Sequence, residues 1–112
     1  MTTKVYITND GGHDYSDAKR FGELVWCTEG SLDKEDTAQM YRELGDALYD
    51  SMPEDYLLLT SLTTLCSIAC AIFALKHGQL HLLLYKGGVY VPRHLYLLQG
   101  VSDRNTAYSS ER

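Results

Sequence analysis

Residues Tyr56 to Leu75, YLLLTSLTTLCSIACAIFAL, carry no charge, and whether they form one membrane span or several buried elements decides the fold. A spanning helix needs about 20 predominantly apolar residues. Thr60, Ser61, Thr63, Thr64 and Ser67 interrupt the run in its first two thirds and divide it at a polar knot. Before the knot, Asp55 to Leu59 follows Pro53 with the length and flanks of a buried strand. After it, Leu62 to Lys76 reads as a helix closed by His77 and Gly78, with cations in the last turn to complement the dipole and a glycine suited to the left-handed cap. That helix is about 20 Å long at about 1.5 Å per residue, short of a hydrocarbon core of about 30 Å. No membrane anchor is expected.

Outward from this stretch, strands and helices alternate. Val5-Tyr6-Ile7 is a first strand, stopped by the turn formers Asn9-Asp10-Gly11-Gly12. Ser16 is placed to cap a short helix from Asp17 to Phe21, ended by Gly22, and Glu23 to Cys27 is a second strand. Ser31 or Asp33 then caps a helix to about Tyr49, with Met40, Tyr41, Leu44, Ala47 and Leu48 on one stripe. His81 to Tyr85 is a fourth strand, and Lys86-Gly87-Gly88 turns the chain into a hairpin arm, Val89 to Val91, that Pro92 should stop. This order predicts a small Rossmann-like or flavodoxin-like three-layer α/β domain, with a mainly parallel four-stranded sheet plus a C-terminal antiparallel hairpin strand. A single domain is expected over residues 1-99, with a polar, flexible tail over 100-112. Because the helix after the knot is apolar on nearly every side, a second copy is expected to cover part of it, which makes the protein a homodimer.

The net charge is −5 and the basic residues are scattered, so no basic patch for nucleic acid is visible. Cys27, Cys66 and Cys70 read as free, buried thiols, and no charged-then-apolar leader precedes Val5, which together predict a reducing, cytoplasmic setting.

In open parallel sheets ligands bind beyond the carboxyl ends of the strands. That rule gathers the segments Asn9 to Tyr15, Thr28 to Ser31, Thr60 to Thr64 and Tyr85 to Gly88. At Thr60, Ser61, Thr63 and Thr64 a strand becomes a helix, so backbone N–H groups and hydroxyls favour an anion there. The alternative is that Ser61 or Thr63 caps the helix and its neighbours bond locally. No glycine-rich phosphate loop is present, and neither a cofactor nor a metal is expected, since the spacing of Asp10, His13 and Asp14 matches no defined metal site.

Asp10 is placed to orient a hydroxyl, Gly11 and Gly12 to let backbone approach a ligand, and His13 beside Asp14 to do acid–base work. The competing reading is a turn in which Asn9 and Asp10 bond their own backbone. Tyr15 and Tyr85 are positioned to cover a ligand, whereas Cys27, after Trp26, reads as structural. Asn9-Asp10-Gly11 after an apolar strand superficially resembles the opening of the stationary-phase survival phosphatases. That family carries a second aspartate where Gly11 stands, and with no later motif following, membership is rejected.

Three functions follow as expectations. The first is a cytoplasmic binding protein for an anionic small molecule, a nucleotide or its fragment. The second is an acidic accessory or phage-type protein that acts by protein–protein contact as a homodimer. The third is a small enzyme using Asp10 and His13 on a nucleotide or sugar.

Overall fold

The computed structural model describes residues 2–60 and 62–97; Ser61 and the tail expected from Gly100 lie outside them. Its elements are β1 (Lys4–Ile7), a 3-10 helix (Ser16–Arg20), β2 (Glu23–Trp26), α1 (Thr37–Ala47), β3 (Tyr56–Leu58), α2 (Thr63–His77), β4 (Gln79–Lys86) and β5 (Val89–Tyr96). They form a mixed α/β fold around one sheet in the order β2-β1-β3-β4-β5. The first four strands run parallel, and β5 returns antiparallel to β4.

The lateral path of the chain explains where the helices lie. β1 to β2 moves one way along the sheet, and β2 to β3 to β4 moves the other. Crossovers of one hand then place the 3-10 helix on one face and both long helices on the opposite face. Two clusters match this: Tyr6 and Leu57 pack with Met40, Leu44, Leu65, Ala69 and Phe73 of the helices, while Val5, Ile7, Leu58 and Leu83 pack with Tyr15 and Ala18. Alternate residues of each strand thus serve opposite faces.

The uncharged run separates as its composition predicts, and among the described residues no helix is long and apolar enough to cross a membrane. Gly78 ends α2 in the left-handed conformation (φ 70°) and donates its N–H to the Ala74 carbonyl at 2.7 Å. Three boundaries depart from expectation. Tyr15, not Ser16, is the N-cap of the 3-10 helix, and the Ser16 N–H is taken by the Asp14 carboxylate. Asp36 caps α1 by accepting from Gln39 N at 3.0 Å, because Asp33 is used one turn earlier on Glu35 N. β5 continues through Pro92 to Tyr96. It is an edge strand, where a missing N–H need not break a ladder.

On α2 only Leu65, Ala69 and Phe73 are fully buried. The all-round apolar helix therefore presents an outer stripe that the rest of the described chain leaves open. Tyr41, expected on the buried stripe of α1, stands 62% exposed beside it.

Candidate functional site

The sheet order makes β1 and β3 neighbours, and the direction of travel reverses at β1, so the crevice beyond their carboxyl ends is where an open parallel sheet usually holds a ligand. Here the chain fills that crevice with its own polar groups. Thr8 Oγ1 donates to the Thr60 carbonyl and accepts from the Thr60 N–H, both at 2.7 Å. In return Thr60 Oγ1 donates to the Asn9 carbonyl and accepts from the Asn9 N–H. Thr28 Oγ1 donates to the Thr8 carbonyl at 2.7 Å, and the Cys66 thiol donates to the Thr60 carbonyl at 3.3 Å. Side chains thus extend the β1–β3 pairing past the last strand residues, satisfying backbone groups that would otherwise be buried without partners.

The loop after β1 is held in the same way. Asn9 Oδ1 accepts from Asp10 N, Asn9 Nδ2 donates to the Gly30 carbonyl, and Asp10 Oδ1 accepts from Gly12 N. These are the self-bonded turns of Asn and Asp, completed by Gly12 at φ 78°. Tyr15 is buried beneath the loop, its hydroxyl accepting from Gly11 N at 3.1 Å and its ring edge-on to Trp26. Among the described residues no hydrogen bond joins His13 to Asp14. His13 instead lies edge-on to Tyr15, and the Asp14 carboxyl is held below its ordinary value chiefly by Ser16. Thr63 and Thr64 are exposed in the first turn of α2, apart from this network.

The open space lies one strand over. A cleft of about 340 Å³ opens beyond β3 and β4, floored by Leu58 and Leu83, walled by Tyr85 and Tyr90, and edged by His13 and Asp14. Thr60 reaches it, so the expected residues His13, Thr60 and Tyr85 converge there, whereas Asp10 closes its own turn. Tyr90 went unnoticed in the sequence, although a signal was present. A two-residue Gly87-Gly88 turn pairs Lys86 with Val89, which sets Tyr85 opposite Tyr90. Thr8, the hub of the crevice, carries no comparable signal.

All three cysteines are free. Burial raises the Cys27 thiol to about 12, so at neutral pH it is a protonated, inert group. Among the described residues no group of three or more His, Cys, Asp or Glu is arranged to hold a metal ion. The model of one protein family, described as "Phage Pam3 gp32-like protein", matches residues 3–96. No curated protein and no solved structure matches the chain.

Proposed function

We propose, from the premise that the chain belongs to the Phage Pam3 gp32-like protein family, that it is an accessory protein working by protein–protein contact, with a homodimer built on α2 as its unit. The observation that carries this reading is the outer stripe of α2. Leu75 is 89% exposed and shares a shallow trough with Ile68, Ala71, Ile72 and Tyr41. The spacing i, i+3, i+4, i+7 makes these aliphatic positions one continuous seam. Exposed apolar seams of this kind mark contact surfaces.

The seam suits a second copy of itself. In an antiparallel pair of α2 helices with the two-fold axis close to Ala71, Leu75 of one copy packs on the partner's Ile68 and the reverse contact follows by symmetry. The small Ala71 at the axis lets the two backbones approach.

The parallel order β2-β1-β3-β4 supports a flavodoxin-like reading over a Rossmann-like one. A nucleotide or other anion beside α2 has less support, because the Thr8 and Thr60 hydroxyls are committed to the backbone and Thr63 and Thr64 stand apart.

Sedimentation velocity at micromolar concentrations tests the dimer. Wild type is expected as a dimer and Leu75→Glu as a monomer with unchanged circular dichroism. A wild-type monomer throughout the range overturns the proposal.

A further inference from the structure

We infer that the cleft between the β1 loop and the β4–β5 hairpin is a binding site for a small organic ammonium compound, with the hydrocarbon body on Leu58 and Leu83 and the cationic head between Asp14 and the Tyr85 and Tyr90 rings. At about 340 Å³ the cleft falls at the lower end of the range of small-molecule sites. Its floor is apolar and preformed, for Leu58 and Leu83 are each 2% exposed and belong to the core cluster of this face.

Its polar groups are not used up. Tyr90 is 4% exposed and lines the cleft, yet among the described residues its hydroxyl has no hydrogen-bond partner. Only the backbone groups of Tyr90 are engaged, its N–H with Asp17 Oδ2 at 2.7 Å and its carbonyl with Arg20. Among the described residues the one buried side-chain polar atom without a partner is Glu43 Oε2, so the Tyr90 hydroxyl is not sealed in the core but reaches the open space of the cleft. A hydroxyl that opens on a cavity and has no protein partner is free to bond what enters it.

The charge of the occupant follows from the rim. Asp14 stays ionised well below neutral pH, because the Ser16 hydroxyl and N–H favour its carboxylate. Of the nearby cations, Lys19 acts on Asp14 but does not line the cleft, and Arg20 is engaged with Asp17 at 3.0 Å, with the Tyr90 carbonyl and with the Phe21 ring at 4.1 Å. The Tyr85 and Tyr90 rings meet at 63° with centroids 5.3 Å apart, forming two walls of an aromatic corner. Aromatic faces beside a carboxylate attract an ammonium group and repel an anion. This site lies on the sheet face opposite α2, so it stands or falls independently of the dimer.

Three isosteric probes separate the alternatives: 2-phenylethylammonium, neutral 2-phenylethanol and anionic 3-phenylpropionate, titrated into the full chain with methyl NMR as readout. The ammonium is expected to bind saturably with the largest shifts at Leu58 and Leu83, and the carboxylate weakest. Asp14→Asn is expected to weaken the ammonium roughly two- to fivefold, the value of a solvent-exposed charge pair, with phenylethanol unaffected. Tyr90→Phe should weaken both and leave the fold intact. The proposal is overturned if none of the three probes binds, if the anion binds as tightly as the ammonium, or if Asp14→Asn leaves ammonium affinity unchanged.

Discussion

Asp55 ties the start of β1 to the turn before β3. It is 3% exposed, one carboxylate oxygen accepting from Lys4 N at 2.9 Å and the other from Met52 N at 2.8 Å. In the sequence it reads only as the lead-in to a strand, because nothing local announces a partner 51 residues away. Asp55→Ala strands two backbone donors and is expected to cost roughly 2–3 kcal/mol in urea denaturation, with Asp55→Asn intermediate. A loss indistinguishable from that of an exposed carboxylate such as Asp33 contradicts this role. His81 makes a second expectation at this scale. It stacks between Tyr56 and His94, with centroids at 3.9 and 4.8 Å, and burial followed by the charge of His94 pushes its imidazole below the ordinary value. Burial and Lys76 push His77 the same way. Both groups are largely neutral in the folded and unfolded chain above about pH 7.5, so they contribute little pH dependence there. Below that pH the unfolded chain takes up protons more readily, and stability falls. Asp14 and Asp17, held below the carboxylate range by Ser16 and by the Tyr90 N–H, lose their contribution only below about pH 4, outside this window. The melting temperature should therefore drop between about pH 7 and pH 5, less steeply in His81→Phe, which keeps a ring in the stack without its proton. Equal slopes would remove His81 as a cause.

Element boundaries were legible where the local residue chemistry sufficed and illegible where tertiary context decided. Gly78 and the cations before it end α2 as read, and Gly87 and Gly88, both at positive φ, turn the hairpin as read. Pro92 misled because its effect depends on whether the strand is central or at an edge, which no local pattern states. The start of α1 shifted to Asp36 because Ser31, Asp33 and Asp36 are all competent caps and only one can be used. Inside α1, Gly45 is a local weakness that the fold does not need. Nothing lies within 4 Å of where its Cβ would stand, so Gly45→Ala should stabilise the protein by roughly 0.5–1 kcal/mol in chemical denaturation. Gly22→Ala is the matched opposite, since its Cβ would sit 2.4 Å from the Thr3 carbonyl oxygen and force the β1–β2 pairing apart. Similar effects of the two substitutions would refute this account of the glycines.

At the scale of the molecule, the strand-end rule gathers loops that the fold does bring to one rim of the sheet, but it does not state the use each residue is put to. That use depends on β1 lying beside β3, which brings Thr8 and Thr60 together and closes the crevice, and lateral order is set by contacts across the whole chain. The same limit applies to α2, whose composition announces burial on more sides than one small sheet provides. If a second copy supplies the missing side, association and folding are linked, and the melting temperature must rise with protein concentration. A hundredfold increase should raise it by roughly 5 °C for a chain of this size. Leu75→Glu should melt at one temperature whatever the concentration. Its monomer should still fold, because Leu65, Ala69 and Phe73 hold α2 to the sheet from the other side. A wild-type melting temperature independent of concentration would detach the outer stripe of α2 from self-association and leave that surface for a different protein.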